Sequence, residues 1–444
     1  MGRRGLTATI FALATPPGRG AIAIIRLSGP ATSAALTALG AGGLKPRLAS
    51  LRRLVHDGAV LDEALVLSFP APNSYTGEDC AELHLHGGRA VVEAVSEALI
   101  ALGVRPAEAG EFTRRAFENG RMDLAQAEAV ADLIDAESAA QATQALGQLG
   151  GALSRAYVGF RADLLKALAL VEAEIDFPDE ELPDHLARTA GPVLDSLAAD
   201  LRSALADAER GRRVREGYRI VLIGETNAGK SSLFNALVSR EAAIVTPFAG
   251  TTRDVLDAEL IIGGYAVTLS DTAGLRESED VVEAEGVRRA RARAETADLR
   301  LWVRAPGDPD GAAGAFVGPD DLVVLTKADL GLSAEPDPAP LALAALTVSP
   351  VTGEGMAALQ AWLADRLARD LSGADFPAVT RERHRARLAE ALDAVQAGRA
   401  ALDRAPEMAG EDLRRAADAL SRVTGAIGVE DVLGEVFSTF CIGK

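Results

Sequence analysis

Residues 224–231 read Gly-Glu-Thr-Asn-Ala-Gly-Lys-Ser, a pattern whose residue types and spacing suit the phosphates of a nucleotide. The pattern follows an apolar stretch at 219–223 and precedes another at 232–238, which is the strand and helix context that such a loop requires. The glycines let the backbone turn so that its N–H groups point at phosphate oxygens. Lys230 is expected to reach the β- and γ-phosphates, and Ser231 is expected to ligate magnesium. The sequence therefore predicts a P-loop.

Two more segments are expected to face the γ-phosphate. Asp-Thr-Ala-Gly at 271–274 follows an apolar strand, so that Asp271 can hold the magnesium shell and the backbone of Gly274 can sense the γ-phosphate. Gly-Thr-Thr-Arg-Asp at 250–254 offers a threonine that can complete the magnesium coordination. Without the neighbouring motifs, this threonine pair would be ordinary loop polarity.

The base is expected to be guanine rather than adenine. Thr-Lys-Ala-Asp at 326–329 follows an apolar strand, and the Asp329 carboxylate can accept from the ring N–H and the exocyclic amine of guanine. Thr326 stands where such motifs usually have Asn, which is expected to weaken the connection to the phosphate loop. Ser349 precedes Pro350, where Ser-Ala is usual, and the proline removes a backbone donor.

Hydrolysis needs a group that orients water and a cation that stabilises the transition state. Leu275 stands where Ras-like proteins carry a water-positioning Gln, and leucine cannot orient water, so Glu283 is the candidate. The Asn227 side-chain oxygen and the carbonyls of 246–251 can hold a monovalent cation where an arginine finger would otherwise act. The alternative for Asn227 is an ordinary turn residue.

The composition bounds the function. The chain has 444 residues, 48% hydrophobic and 25% charged, with a formal net charge of −18, so a broadly basic RNA-binding surface is excluded and any RNA contact must be local. Two cysteines indicate no disulfide framework and a reducing compartment. No apolar stretch approaches the ~20 residues that span a bilayer, and the short N-terminal apolar run lacks a cleavage site. A cytoplasmic protein without membrane contact is expected.

The hydrophobic pattern predicts several domains. Short strands mix with helices up to residue 120, long helical runs follow at 123–175 and 185–210, and strands alternate with helices from 218 to 368 before helices return. We therefore expect a multidomain α/β and all-α protein in which a Ras-like P-loop G domain is inserted in a helical domain, with 209–215 as the linker. The predicted domains are 1–120 (α+β), 121–216 with 376–444 (helical), and 217–375 (P-loop GTPase).

Several motifs resemble one family over essentially the whole chain. Their positions are 14–20 (Ala-Thr-Pro-Pro-Gly-Arg-Gly), 72–79 (Pro-Asn-Ser-Tyr-Thr-Gly-Glu-Asp), 110–117 (Gly-Glu-Phe-Thr-Arg-Arg-Ala-Phe), 123–129 (Asp-Leu-Ala-Gln-Ala-Glu-Ala) and 441–444 (Cys-Ile-Gly-Lys). Together with the G-domain motifs they resemble the tRNA-modifying GTPases of the MnmE (TrmE) family. The resemblance implies a folate-binding type of N-terminal domain that also mediates dimerisation.

The resemblance also implies a reaction. Members of this family, with the flavoprotein partner MnmG (GidA), add an aminomethyl or carboxymethylaminomethyl group to carbon 5 of the wobble uridine of certain tRNAs. The one-carbon unit comes from a tetrahydrofolate derivative, in the 5,10-methylene or 5-formyl form, and FAD enters only through the partner. K⁺ and Mg²⁺ are the implied ions. The implied assembly is a homodimer that joins MnmG in a heterotetramer or larger complex and binds tRNA.

Site residues follow from the resemblance by position. Potassium is assigned to Asn227, Thr246, Phe248 and Thr251, magnesium to Ser231 and Thr252, and the water-orienting acid to Glu283. Folate is assigned to Arg26, Glu82, Arg121 and Lys444, although Arg121 replaces the usual lysine. The full predicted GTP site is Asn227, Ala228, Gly229, Lys230, Ser231, Ser232, Thr246, Thr251, Thr252, Asp271, Thr272, Ala273, Gly274, Thr326, Lys327, Asp329 and Ser349.

Three alternatives stay open. Cys441 is a candidate nucleophile for the pyrimidine or for methylene transfer, or it is a structural thiol. The basic clusters 209–215, 288–293 and 381–387 are solvated helix faces, or, for 381–387, a tRNA phosphate patch. The rival functions are a GTP-switched ribosome assembly factor and a membrane-remodelling GTPase, but the sequence shows neither a G-x-x-G clamp between basic helices nor an amphipathic anchor.

Overall fold

The computed structural model describes residues 8–176, 185–240, 256–271, 292–308, 317–330, 344–372 and 379–425, with Phe437, Phe440 and Gly443. Its contacts divide the chain into two compact units, and each unit is considered by itself below. Unit 1 holds residues 1–131, 148–194 and 393–444, and unit 2 holds residues 132–147 and 195–392. Within the described residues, no helix is long and apolar enough to cross a membrane.

Unit 1 begins with a six-stranded sheet. Its elements in chain order are β1 Ile10–Leu13, β2 Ile22–Ser28, α1 Thr32–Ala38, β3 Ser50–His56, β4 Ala59–Phe69, β5 Cys80–His86, α2 Arg89–Ala101, β6 Arg105–Pro106 and α3 Glu111–Glu118. The strand order is β3-β4-β5-β2-β1-β6, and every neighbouring pair is antiparallel except β1 with β6. Strand residues alternate between faces, so that Ile25, Leu27 and Leu83 are buried in one core with Leu36 of α1 and Leu99 of α2.

A buried arginine ties this sheet to α3. The Arg115 side chain has no exposed surface, and its guanidinium donates to Glu78 Oε2 at 2.9 Å, to Glu111 Oε1 at 2.8 Å and to the carbonyl of Ala8 at 2.9 Å. Burial alone would raise the pKa of Glu111, but hydrogen bonds from Arg105, the Glu108 backbone and Arg115 outweigh burial and lower that pKa. Glu111 is therefore a carboxylate that balances two arginines.

Arg115→Met should destabilise this part of the domain by about 3 kcal/mol, because removing one partner of a buried ion network leaves buried charges uncompensated. Since 1.4 kcal/mol is about a factor of ten, amide hydrogens in 10–13 and 111–118 should exchange on the order of 100-fold faster. The control is Arg114→Met. Arg114 is half-exposed and pairs with Glu118 at 2.8 Å, so losing this pair should lower the free energy of unfolding by less than about 1 kcal/mol. Equal exchange in the two variants would contradict the role of Arg115.

Long helices follow the sheet. They are α4 Leu124–Ile134, α5 Ala139–Leu149, α6 Ala152–Asp176 and, after a 3-10 turn at Leu186–Ala190, α7 Gly191–Glu216. The predicted helical run at 123–175 is thus three helices, and Gly150 and Gly151 separate the second from the third. The predicted linker at 209–215 is wrong, because these residues are the last two turns of α7.

Unit 2 contains the second six-stranded sheet. Its elements are β7 Tyr218–Ile223, α8 Lys230–Arg240, β8 Leu256–Ile262, β9 Tyr265–Asp271, β10 Leu299–Arg304, β11 Leu322–Leu325, β12 Ala344–Thr347 and α9 Met356–Leu371. The strand order is β12-β11-β10-β7-β9-β8, parallel throughout except for the β8–β9 hairpin. This confirms the predicted open, mostly parallel α/β sheet, in which ligands bind beyond the carboxyl ends of the strands.

The chain then returns to helices α10 Glu382–Ala401 and α11 Pro406–Thr424. In unit 1, α11 packs along α6: a Cβ at Gly410 would lie 3.8 Å from Val171 Cγ1, and Arg414 Nε lies 3.1 Å from Glu172 Oε1. A Cβ at residue 410 would make only ordinary van der Waals contact with α6, so the two helices pack side by side without a clash here. Helices α6 and α11, which precede and follow the α/β sheet in the sequence, therefore pack together within unit 1.

Candidate functional site

The loop between β7 and α8 has the backbone of a phosphate-binding loop. Gly224 has φ +150° and Gly229 has φ +97°, backbone conformations that are strained for any residue with a side chain. A Cβ at Gly224 would lie only 2.1 Å from the Val303 carbonyl oxygen, so only glycine fits against β10. Asn227, at the exposed turn of the loop, also has a positive φ of +64°. The predicted P-loop geometry is present.

Lys230 lies folded over this loop. Its Nζ donates to the carbonyls of Gly224 and Glu225, both at 2.8 Å, and only 6% of the residue is exposed. Burial, opposed by the charges of Asp271 and Glu225, lowers the pKa of the ammonium. Backbone carbonyls compensate a buried cation less well than phosphate does. The lysine is thus held at the position where the β- and γ-phosphates of a nucleotide would give it anionic partners.

The magnesium ligands predicted on β9 and α8 are already adjacent. Ser231 Oγ donates to Asp271 Oδ2 at 2.8 Å, and Asp271 is completely buried at the carboxyl end of β9. A hydroxyl and a carboxylate are oxygen ligands of the kind that Mg²⁺ prefers. These two side chains would therefore hold Mg²⁺, if it binds here, and the ion would supply positive charge beside the phosphates.

The residues expected to read the base lie at the ends of β11 and β12. Ser349 Oγ donates to Asp329 Oδ1 at 2.7 Å, which orients the carboxylate. Thr326 is buried, and its hydroxyl lies 2.5 Å from the Ala228 carbonyl. The shorter side chain of Thr326 therefore still bonds the phosphate loop, and its Oγ1 would be 3.2 Å from a Cβ at Gly229. Weakening of this connection relative to the usual Asn stays a prediction.

A second group of predicted residues lies on the sheet of unit 1. Arg26 of β2 and Glu82 of β5 are register partners, and Arg26 donates to Glu82 Oε1 from Nη2 at 2.9 Å and from Nε at 3.1 Å. His84 Nε2 lies 3.3 Å from the other carboxylate oxygen of Glu82. The Arg26 and Glu82 side chains are 23% and 21% exposed, so this charged cluster remains accessible from solvent.

Two aromatic residues that the sequence analysis did not single out complete this cluster. The Arg26 guanidinium carbon lies 5.4 Å from the ring centre of Tyr75 and 6.0 Å from that of Phe112. The Tyr75 hydroxyl is fixed by Thr113 Oγ1 at 2.8 Å, and burial is the main cause that raises its pKa. Both aromatics occur in the motifs at 72–79 and 110–117, which were noted only as marks of the resemblance.

The chain's last described residues pack against the start of unit 1. A Cβ at Gly443 would lie 2.4 Å from the Leu13 carbonyl oxygen, and a Cβ at Gly110 would lie 2.7 Å from the Phe437 carbonyl oxygen. Phe437 and Phe440 share a buried cluster with Leu124. The C-terminal tail therefore reaches β1, which is the neighbour of the strand that carries Arg26.

Arg121 is the third residue assigned to folate that the structure describes. It is exposed, and its Cγ would be 3.3 Å from a Cβ at Gly77 in the loop that holds Tyr75. Two more predicted residues are described: Ser232 is exposed in the first turn of α8, and Lys327 follows β11 with φ +60°. The other predicted site residues lie outside the described part of the chain: Thr246, Phe248, Thr251, Thr252, Thr272, Ala273, Gly274, Glu283, Cys441 and Lys444.

Comparisons with known proteins cover nearly every residue of the chain. A family model described as the GTP-binding protein TrmE N-terminus matches residues 9–121, and a model described as the MnmE helical domain matches residues 124–441. The chain belongs to the MnmE family. Proteins named tRNA modification GTPase MnmE are 55% identical in Caulobacter vibrioides (99% of this chain, 100% of the relative), 53% in Phenylobacterium zucineum (98% and 99%) and 51% in Parvibaculum lavamentivorans (98% and 100%).

Membership in the MnmE family agrees with the geometry of the nucleotide site. The P-loop, the Ser231–Asp271 pair and the Asp329 carboxylate are the parts that a GTP hydrolase needs, and this member of the MnmE family is a GTPase. The resemblance drawn from the motifs is confirmed, as is the fold class of an α+β N-terminal domain, a helical domain and a P-loop G domain.

Proposed function

We propose that this chain is a potassium-activated GTPase which, with a flavoprotein partner, modifies carbon 5 of the wobble uridine of certain tRNAs. The main support is that the chain is 55% identical, over 99% of its length, to a protein named tRNA modification GTPase MnmE. The similarity includes both flanking domains, which a shared G domain alone would not require. The reaction adds an aminomethyl or carboxymethylaminomethyl group, GTP hydrolysis drives rearrangement of the G domains, and the protein acts in the cytoplasm.

The case for potassium rests on Asn227. Its side chain is exposed in the phosphate loop, and it makes no hydrogen bond with any residue that the structure describes. The amide oxygen is therefore available to a cation beside the β- and γ-phosphates. Because Leu275 replaces the water-positioning glutamine, such a cation, with Glu283 to orient water, would supply the charge stabilisation that an arginine finger gives elsewhere.

Asn227→Gly should abolish potassium stimulation of GTP turnover. Glycine accepts the φ of +64° at this position, so the variant removes the ligand oxygen without straining the loop. We expect turnover in potassium to exceed turnover in sodium by at least about tenfold in the wild type, since removing one electrostatic stabiliser typically costs about 100-fold or more. The Gly variant should show no such difference, and Asn227→Asp, which retains an oxygen, should keep part of it.

The same variants test the modification. A strain without this chain should lack the carbon-5 group on wobble uridine, measured by mass spectrometry of tRNA nucleosides, and only the wild-type copy should restore it fully. If potassium still stimulates GTP turnover in Asn227→Gly but not in Asn227→Ala, Asn227 serves only the turn of the loop and is not a potassium ligand. Wobble uridines that stay modified in the deletion strain would refute the tRNA function and favour the ribosome assembly factor.

A tetrahydrofolate derivative fits the cluster around Arg26. Its pterin ring carries N–H donors that a carboxylate such as Glu82 accepts, and its glutamate tail carries anions that suit Arg26, Arg121 or Lys444. Tyr75 and Phe112 offer flat surfaces beside these charges. When bound, the folate supplies the one-carbon unit. The residues of the chain bind and orient it, and Gly443 permits the tail to approach β1. Cys441 remains a candidate nucleophile.

A homodimer through the N-terminal domain is favoured by the open face of its sheet. Ile22, Leu51 and Leu65 are 61%, 64% and 45% exposed, and they share a face with Arg26 and Glu82 by strand alternation. Exposed apolar residues grouped on one face mark an interaction surface. The proposed complex adds the MnmG (GidA) flavoprotein, which contributes FAD, as a heterotetramer or larger assembly.

A further inference from the structure

The basic cluster that the sequence marked for tRNA is largely neutralised. Arg381 Nη2 lies 2.7 Å from Asp132 Oδ1, and Arg385 and Arg387 lie 2.7 Å from Glu382 and Glu390. A guanidinium that already holds a carboxylate offers little net charge to a phosphate. The segment 381–387 is therefore a poor phosphate-binding surface.

The cluster at 209–215 has the same character. Arg212 lies 2.5 Å from Glu209 and 2.8 Å from Glu216, and Arg213 lies 2.8 Å from Asp298. Hydrogen bonds from Arg212 are the main cause that lowers the pKa of Glu209. This helix end is held by internal ion pairs.

A third cluster differs from both. Residues 45–53 contain Lys45, Arg47, Arg52 and Arg53 and no acidic residue, in a chain whose net charge is −18. Among the described residues, no carboxylate lies within ion-pair distance of any of these four side chains. Lys45, Arg47 and Arg53 are exposed and Arg52 is half-buried. We call residues 45–53 the basic edge, because their strand, β3, is the outermost strand of the N-terminal sheet.

The basic edge has a fixed shape. The Arg47 N–H donates to the Ser68 carbonyl at 2.9 Å, and Arg47 adopts φ +61°, a conformation that a non-glycine residue keeps only where its surroundings hold it. Its guanidinium lies 5.5 Å from the ring centre of Phe69 and donates to the Asn73 carbonyl. These contacts position the guanidinium and leave its charge uncompensated.

The two arginines of β3 point to opposite faces of the strand. Arg52 donates to the Leu51 carbonyl at 3.0 Å, and Arg53 stands opposite Glu63 in the β3–β4 register without an ion pair to it. Both side chains therefore place a cation at the edge, and the Glu63 carboxylate offsets part of the charge of Arg53 from the neighbouring strand. Phosphate oxygens of a nucleic acid are the multivalent partner that such a row of largely uncompensated guanidinium and ammonium groups fits.

We infer that the basic edge binds the phosphate backbone of the tRNA substrate. The inference rests on the proposed tRNA function and adds the surface that holds the tRNA. Contacts to phosphate carry no base information, so this edge positions the tRNA and leaves the choice of tRNA to other residues. Cations on an edge strand also prevent pairing with other sheets, but any charged residue does that, and only a cation attracts phosphate.

The test measures binding of tRNA by the full-length protein as a function of salt. Each phosphate contact contributes roughly 0.7–0.9 to the slope of log K against log salt. The variant Lys45→Gln/Arg47→Gln/Arg52→Gln/Arg53→Gln should therefore lose about 3 from the magnitude of that slope and bind at least about tenfold more weakly near 0.1 M salt. Potassium-stimulated GTP turnover should be unchanged, which shows that the variant folds.

A second pair of variants separates local charge from net charge. Lys45→Glu/Arg53→Glu keeps a charged edge strand but should bind tRNA more weakly than the wild type. Arg161→Glu/Arg404→Glu makes the same change of charge at two exposed residues elsewhere and should bind like the wild type. Unaltered tRNA binding by both basic-edge variants, or an equal loss in the control, would overturn the inference.

Two further outcomes have distinct meanings. If the basic-edge variants bind tRNA normally but no longer bind the purified flavoprotein, the surface belongs to a protein partner and the inference is wrong. If the wild type itself shows no salt-dependent tRNA binding and the deletion strain keeps its wobble modification, the proposed function fails together with the inference. If the wobble modification depends on this chain but the basic-edge variants bind tRNA like the wild type, the inference is wrong and the proposed function stands.

Discussion

Asp329→Asn is expected to change the nucleotide preference of the G domain from GTP to xanthosine triphosphate. Guanine presents two donors, the ring N–H and the exocyclic amine, and the Asp329 carboxylate can accept both. A carboxamide offers one acceptor and one donor, which matches xanthine, where a carbonyl replaces the amine. The Ser349 hydroxyl, 2.7 Å from Asp329 Oδ1, can donate or accept and so remains bonded to either side chain.

The expected loss is large because a site built to hydrogen-bond its substrate rejects a mismatched partner by about 10⁴-fold. We expect kcat/KM for GTP to fall by at least about 10³ in Asp329→Asn and kcat/KM for xanthosine triphosphate to exceed it. Steady-state turnover of both nucleotides and of ATP measures this. Ser349→Ala, which only frees the carboxylate, is the control and should cost about tenfold. A variant that still prefers GTP would show that another residue reads the base.

Gly224→Ala is expected to abolish nucleotide binding. The new methyl would lie 2.1 Å from the Val303 carbonyl oxygen, which is backbone of the central strand β10 and cannot move aside cheaply. The P-loop would have to shift away from β10, and with it the N–H groups that face the phosphates. A displacement of about 1 Å can cost about 100-fold, so the dissociation constant for GDP should rise at least that much.

The matched control is Gly264→Ala in the β8–β9 hairpin. Gly264 has φ +86°, so alanine there is strained as well, but nothing lies within 4 Å of its Cβ. This substitution should cost about 1 kcal/mol of stability and leave nucleotide binding unchanged. Calorimetric titration with GDP compares the two variants. If Gly224→Ala binds GDP as tightly as Gly264→Ala, the contact with Val303 does not set the position of the loop.

The nucleotide site could be predicted from sequence because its chemistry is local. The P-loop glycines, Lys230 and Ser231 fall within eight consecutive residues, and the strand before them is nearly uniformly apolar. Parallel strands buried on both faces give such runs, and the apolar stretch at 219–223 lies within one residue of the ends of β7.

Other elements depend on contacts that are distant in sequence. Strand β3 reads Ser-Leu-Arg-Arg-Leu-Val-His and has a single fully buried residue, Leu54, so its pattern lacks the alternation that identifies a strand. Its register with β4 decides its conformation. The charged end of α7 was misjudged as a linker for a related reason: Arg212 and Arg213 are stabilised by ion pairs to Glu209, Glu216 and Asp298 rather than by an apolar face.

The cluster around Arg26 shows the same limit within a site. Arg26 and Glu82 are 56 residues apart and meet through strand pairing, which a single sequence does not reveal. Their assignment to one site therefore came from the resemblance. Tyr75 and Phe112 flank the guanidinium, but in the sequence nothing except their place in two motifs indicated that they belong to this site.

The tail that packs against β1 has a consequence for protein synthesis. Phe437, Phe440 and Gly443 contact segments that leave the ribosome more than 300 residues earlier, since Leu13, Gly110 and Leu124 lie near the start of the chain. During translation the first domain can form its sheet, and later the G domain can fold, before Phe437, Phe440 and Gly443 arrive to pack against the N-terminal segments. A ribosome that stalls late would therefore hold a chain whose P-loop domain can already be folded while its N-terminal domain still lacks these contacts at Gly110 and Leu124.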